Sequence, residues 1–171
     1  KDVPWVVNKV QRDEKKRYPL PPFITSTLQQ EAHRLYRFSA KKTMSLAQRL
    51  YEGVDLGELG THGLITYMRT DSTRLADEAI FGARGYVEKA YGKEYLPGGP
   101  VRYKNKRSAQ DAHEAIRPTG VEFSPDKVVN ALERDDMRLY RLIWNRFLAC
   151  QMAPARFDVT VASVLAGERW T

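Results

Sequence analysis

The sequence predicts a mainly α fold with a small β lobe, in which a helical, helix-turn-helix-like domain is inserted between terminal β-strands. Three observations carry that reading. Residues 5–10, WVVNKV, form a β-branched and aromatic run near one end. Near the other, Phe157, Val159, Val161, Ser163 and Leu165 alternate with Asp158, Thr160 and Ala162, the period of two expected of a strand. Between them, apolar residues recur at helical spacing. The expected division is residues 1–22 with 154–171 as parts of the β lobe and residues 23–153 as the helical domain. A chain of 171 residues has material for one good core and a small second lobe.

Each element has its own signal. After the first strand, the charged stretch 11–17 and then Pro19, Pro21 and Pro22 punctuate the chain before a new unit. Ser26 with Gln29 suggests a capping box, and Leu28, Ala32 and Leu35 mark the stripe of a first helix. A short link, Tyr36-Arg37-Phe38, leads to Ser39 as the N-cap of a second helix. Its stripe reads Ala40, Met44, Ala47 and Tyr51, with Gly53 as its stop. Two helices joined so tightly form an αα-hairpin. Residues 54–62 read as a loop. Leu75, Ala79, Ala83, Val87 and Ala90 predict a third helix closed by Gly92, with Asp77 and Glu78 at its positive end. Residues 96–107 read as a basic loop. Ser108 with Asp111 predicts a cap for a short helix through His113 that Pro118 ends. Ser124-Pro125 opens the next helix, with proline at its first position. Leu139, Ile143, Trp144, Phe147, Leu148 and Gln151 define a long amphipathic helix ending before Pro154.

Composition narrows the function classes. Hydrophobic residues at 42% and charged residues at 29% are those of an ordinary soluble globular protein. The net charge of +7 and a pI near 9.5 favour a polyanionic partner, a weak inference on its own. The single cysteine, Cys150, excludes an internal disulfide and a multi-cysteine zinc site, and its apolar helical setting predicts a buried, inert thiol. No apolar run reaches the roughly 18 residues of a transmembrane helix, and no signal peptide opens the chain. The chain starts at Lys1 without methionine and stops at Thr171 inside a strand pattern, so a fragment of a larger protein is expected.

The residues that carry chemistry lie at 66–73, TYMRTDST. A tyrosine hydroxyl is a poor nucleophile at neutral pH, because its ordinary pKa is about 10. Nearby cations make it useful by stabilising both the phenolate and the anion it attacks. In an extended segment Tyr67 and Arg69 share a face and can meet one phosphate together. On spacing alone the pair is equally that of a packing tyrosine and a surface arginine on a strand.

The longer string changes the weighting. Residues 63–72, GLITYMRTDS, resemble the active-site segment of the type IA DNA topoisomerases. Residues 21–32, PPFITSTLQQEA, residues 109–118, AQDAHEAIRP, and the pair 142–144 and 150–154, LIW and CQMAP, resemble the same family in the same order. Met68 between Tyr67 and Arg69 is similar to the bacterial branch. The resemblance implies that Tyr67 attacks a phosphodiester of single-stranded DNA and stays bound to the 5′ phosphate. It implies that Arg69 holds the scissile phosphate and that His113 contacts the backbone near the cleaved bond, with Asp111 and Glu114 to orient it. Arg117 of the same motif either supports DNA binding or packs. Thr25, Ser26 and Thr27 open a helix, where backbone amides attract phosphate and side chains also cap. Lys41 and Lys42, and the trio Lys104, Lys106 and Arg107, are candidates to line a DNA path, although charge runs are usually solvated faces. Tyr36, Phe38 and Tyr103 either stack bases or pack. His33 and His62 match no motif.

The resemblance also implies what this chain lacks. The family's Mg²⁺ site is an Asp-x-Asp-x-Glu motif on a separate domain, and that pattern does not occur here. No metal ligand is therefore expected in this chain, and Mg²⁺ is expected in the whole enzyme only. The expected function is ATP-independent breakage, passage and rejoining of single-stranded DNA, relaxing negative supercoils, with the isolated piece inactive. The expected partners are single-stranded or negatively supercoiled DNA and the remaining domains of the same polypeptide, not a membrane. The expected location is the bacterial cytoplasm at the nucleoid. Tyr67 is expected near an open, basic surface. The competing reading is a non-catalytic helix-turn-helix DNA-binding module, which leaves Tyr67, Arg69 and His113 without a use. A tyrosine recombinase would need a different arginine and histidine spacing.

Overall fold

The computed structural model describes residues 5–103, 113–166 and 169–170. The elements are β1 (Trp5–Arg17), α1 (Thr25–Tyr36), α2 (Ala40–Glu52), β2 (Val54–Asp55), β3 (Thr61–His62), α3 (Asp77–Ala90), α4 (Pro125–Val128), α5 (Arg134–Ala149), β4 (Ala155–Ala166) and β5 (Arg169–Trp170). The chain is mainly helical with a small antiparallel β part, and it divides into two compact units, residues 1–18 with 154–171 and residues 19–153. Lys104, Lys106, Arg107, Ser108 and Asp111 lie outside the described residues.

In the first unit, β1 and β4 pair antiparallel from Arg17↔Ala155 to Trp5↔Ala166, with one irregularity between Val7 and Lys9, and β5 pairs with the end of β4. The strand β1 is longer than the expected 5–10, because it continues through the charged residues 11–17. All of β1 is exposed, so charge there loses no hydration, while the ladder to β4 satisfies its backbone.

In the second unit, the core gathers α1, α2, α3 and α5. The α5 stripe is buried as expected, at Leu139, Ile143, Trp144, Phe147 and Leu148, and Gln151 beyond it is buried as well. Tyr86 of α3 meets Trp144 edge to face at 5.3 Å. The Gln151 amide exchanges two hydrogen bonds with the Val101 backbone, at 3.1 and 2.9 Å, and so holds the loop after α3. Cys150 is buried, and burial pushes its thiol pKa up to about 12.

Several local expectations are corrected. The first helix is not capped by Ser26. It starts at Thr25, and the Thr27 hydroxyl accepts from the Ile24 amide at 3.0 Å. Leu28 and Ala32 are buried but Leu35 is 44% exposed; α1 ends one residue later at Tyr36, which packs against Phe38 in its place, and Arg37 beyond it lies in the left-handed region. Ser39 does cap α2, accepting from the Lys42 amide at 3.1 Å. The buried face of α2 is Thr43, Leu46, Ala47 and Leu50, so of the expected stripe Ala47 is buried and Met44 half-buried, while Ala40 and Tyr51 are exposed. Residues 54–62 form a small hairpin, in which the two-residue strands β2 and β3 are joined by residues 56–60. Residues 113–118 are not helical. They run extended, with bridges Phe23↔Ile116 and Ile65↔Pro118, because their amides and carbonyls pair across to Phe23, Thr66 and Arg74 instead of along a helix.

Two outcomes test this core. Leu50→Ala should cost about 2–5 kcal/mol in urea unfolding, whereas Leu35→Ala should cost under about 1 kcal/mol. At pH 8 the Cys150 thiol lies far below its raised pKa, so iodoacetamide should label it only after unfolding.

Candidate active site

Tyr67 lies in a segment, residues 63–76, that is neither helix nor strand apart from one bridge at Ile65. The segment leaves α2 at very close range. A Cβ on Gly63 would stand 2.6 Å from the Tyr51 carbonyl oxygen, and the Leu64 amide donates to the Leu50 carbonyl at 2.7 Å. Leu64, Ile65 and Met68 are fully buried.

An irregular backbone that carries buried side chains must find partners for its own amides and carbonyls. Two threonine hydroxyls supply several of them. Thr66 Oγ1 donates to the Ala115 carbonyl at 2.7 Å and accepts from the Arg117 amide at 3.0 Å, while the Thr66 amide donates to the Arg117 carbonyl at 2.9 Å. Thr25 Oγ1 donates to the Met68 carbonyl at 2.7 Å and accepts from the Thr70 amide at 2.9 Å; the Thr25 amide donates to the Thr70 carbonyl at 2.9 Å. Tyr67 is therefore the residue between two pinned points, one on the 115–119 segment and one on the start of α1.

The pinned backbone sorts its side chains by alternate burial. Met68, Thr70 and Ser72 are buried, and Tyr67, Arg69 and Asp71 are exposed. At 44% exposure the Tyr67 ring is reachable from solvent. Its neighbours are the edge-on Tyr51 ring at 5.4 Å and the His113 ring at 6.3 Å. Beside it, Thr25, Ser26, Gln29, Arg69, Asp71 and His113 line a shallow hollow of ≈ 520 Å³. The first turn of α1 brings its positive end to this hollow and carries no acidic residue.

The structure thus brings Tyr67, Arg69, His113, Thr25 and Ser26 to one place. Arg117 is placed differently. Its guanidinium is only 15% exposed, is paired with Glu114 at 2.7 Å and donates to the Pro118 carbonyl at 2.9 Å. Glu114 is thereby turned to Arg117 and not to His113. Lys41 is exposed on the first turn of α2 and Lys42 pairs with Asp135, with its ammonium 4.5 Å from the Phe38 ring centre; neither lines the hollow. Phe38 is buried against Tyr36. Tyr103 donates to the Cys150 carbonyl at 3.0 Å, and burial pushes its pKa up to about 12. His33 and His62 make ring-nitrogen contacts to the Phe38 and Leu59 carbonyls. Among the described residues no group of three or more His, Cys, Asp or Glu is placed to hold a metal ion, and no helix is long and apolar enough to cross a membrane.

Three residues of this neighbourhood escape the sequence reading. Gln29 reads as part of a cap, Asp71 as a passenger of the motif, and Tyr51 as a member of the α2 stripe. Counting that stripe from Thr43, with Leu46, Ala47 and Leu50, would have turned Tyr51 outward.

An exposed phenol beside a guanidinium, an imidazole and a helix amino end is suited to meet a phosphate diester. Comparison with known proteins points the same way. A family model described as DNA topoisomerase matches residues 1–170. DNA topoisomerase 1 of Rickettsia felis is 54% identical over 159 residues, 92% of this chain and 20% of the relative. DNA topoisomerase 1 of Rickettsia prowazekii is 52% identical over 161 residues, 94% of this chain and 21% of the relative. The solved structure of full-length topoisomerase I from Thermotoga maritima superposes with a TM-score of 0.81 at 43% identity, covering 96% of this chain and 26% of that one. The chain spans about a fifth of the length of the curated relatives it matches.

Thr25→Val should separate the pin from the cap of α1. It removes the hydroxyl partner of Met68 and Thr70 but keeps the Thr25 amide bond. Unfolding should cost about 1–3 kcal/mol, and the Thr70 amide should exchange with deuterium faster than that of Leu28.

Proposed function

The chain belongs to the DNA topoisomerase family, and from that premise we propose that it supplies the nucleophile half of a divided type IA active site. The observation that carries this reading is the exposed Tyr67, held between two threonine pins with Arg69 beside the start of α1.

Tyr67 is the nucleophile. Its Oη forms a bond to the phosphorus of a single-stranded DNA diester as the bond from phosphorus to the 3′ oxygen breaks. The phenol gives up its proton and the departing 3′ oxygen takes one up. The 5′-phosphotyrosyl ester keeps the energy of the broken bond, so the 3′ hydroxyl reseals the strand without ATP. Passage of a second strand before resealing relaxes negative supercoils. Arg69 neutralises charge on the phosphoryl oxygens, and a guanidinium fixed before the reaction loses little in reorganisation. His113 assists at the adjoining backbone. The Ser26 and Thr27 amides, in the first turn where no carbonyl of the helix can accept from them, add dipole stabilisation to a phosphate in the hollow, and Thr25 fixes the geometry. Arg117 holds the 113–118 segment under His113, and Lys41 and Lys42 make at most outlying contacts with DNA.

The Mg²⁺ that the family resemblance implies does not fit this hollow. Asp71 is its one carboxylate, whereas Mg²⁺ wants a near-octahedral set of oxygens. The ion belongs with the remaining domains of the whole protein, which are also the partner of this chain. Residues 23–153 act as the helical domain of that protein, residues 1–22 with 154–171 as part of its β lobe, and the two crossings between them as hinge-adjacent points. The place of action is the bacterial cytoplasm, at the nucleoid.

Mixing the chain with a polypeptide carrying the rest of a topoisomerase I, Mg²⁺ and labelled single-stranded DNA tests the reading. We expect DNA covalently attached at Tyr67 by mass spectrometry, none with Tyr67→Phe although DNA is still bound, and none from the chain alone. Arg69→Ala should slow adduct formation roughly 10²–10³-fold. An adduct that persists in Tyr67→Phe, or no adduct when both pieces are folded and bound to DNA, would overturn it.

A further inference from the structure

We infer that Tyr51 is a positioning residue for the Tyr67 hydroxyl, its ring edge limiting the rotamers from which that phenol can reach a phosphate. The inference rests on the reading of Tyr67 as nucleophile. Tyr51 contributes little to the core. It is 41% exposed, and the buried face of α2 is complete without it. Its ring instead meets the Tyr67 ring at 5.4 Å and 63°, an edge-on geometry in which aromatic quadrupoles attract.

The contact is not a meeting of two loose surface side chains. The Leu64 amide on the Leu50 carbonyl, and the approach of Gly63 to the Tyr51 carbonyl, lock the end of α2 to the start of the Tyr67 segment. The pins at Thr66 and Thr25 then fix the backbone on either side of Tyr67. What remains is the pair of side chains, each with two torsions, which hold one another by the edge-on contact. The Tyr51 ring at the edge of Tyr67, together with His113 at 6.3 Å, disfavours rotamers that point the Tyr67 hydroxyl away from the reaction. A restriction of this kind raises the rate of the chemical step by raising the fraction of near-attack geometry, without adding a contact to DNA. A glycine at 63 follows from the same arrangement, since any Cβ there would push α2 and its tyrosine away.

The test is made in the whole protein, with single-turnover cleavage of a labelled single-stranded oligonucleotide and DNA affinity measured side by side. Tyr51→Leu and Tyr51→Met should cleave roughly 3- to 10-fold more slowly. Their Kd for DNA should stay within about twofold of the parent and their Tm should be unchanged, because the position is exposed. Tyr51→Phe should restore the parental rate, since the ring edge is kept. Parental rates in Tyr51→Leu, equal loss in Tyr51→Phe, or a loss of affinity that matches the loss of rate would each overturn the inference. Tyr67→Phe is the control that separates the two readings. Cleavage surviving in Tyr67→Phe removes the nucleophile assignment, whereas normal cleavage in Tyr51→Leu with none in Tyr67→Phe removes only the role of Tyr51.

Discussion

The hydroxyl of Thr25 holds two backbone groups of the Tyr67 segment at once, donating to Met68 and accepting from Thr70. Together with Thr66 on the other side, it lets a stretch without regular structure carry buried side chains. Without those partners, the amides and carbonyls of residues 66–70 would have to stay in water, and Met68 could not enter the core. With them, the backbone is fixed on both sides of one residue. Everything proposed about Tyr67 depends on that fixation, because an oriented nucleophile gains more from a settled frame than from an added contact.

The same constraint explains the layout of the helical unit. The start of α1, the end of α2 and the extended 113–118 segment all converge on residues 63–70, and each does so through main-chain bonds. The hydrophobic core behind them is conventional. It anchors Leu64, Ile65 and Met68 from one side and leaves Tyr67, Arg69 and Asp71 to solvent on the other. Arg69 and the amino end of α1 open on the hollow, whereas Lys42, Arg49 and Arg117 are tied to carboxylates of the fold.

The amphipathic pattern of α5, those of α1 and α3 up to their last turns, where Leu35 and Ala90 are exposed, the Ser39 cap and the pairing of the terminal strands are legible in the sequence. Each depends on residues close in the chain or on a period that packing does not alter. What was not legible depends on distant partners. Residues 109–118 look like a capped helix locally, but the described part is drawn out by Thr66 and Phe23, some fifty and ninety positions away. Charge in 11–17 suggested the end of a strand, yet an exposed ribbon does not ask its residues to be apolar. In the site, Tyr67, Arg69 and His113 are candidates through motif resemblance, and Thr25 and Ser26 through the helix start, but their meeting at one place is not legible in the sequence. Tyr51 was hidden because it reads as a member of the α2 stripe, and the threonine pins were hidden because a hydroxyl reads as a cap until its distant acceptors are known.

The most direct measurement is an NMR titration of the chain with a short single-stranded oligonucleotide, following side-chain and amide resonances together. Shifts should concentrate at Tyr67, Arg69, Ser26 and His113 while the Thr66 and Thr70 amides, bonded to the Arg117 carbonyl and the Thr25 hydroxyl, stay protected from exchange. Shifts confined to Lys41, Lys42 and the outer face of α2, with Tyr67 unmoved, would contradict it and favour a non-catalytic DNA-binding module.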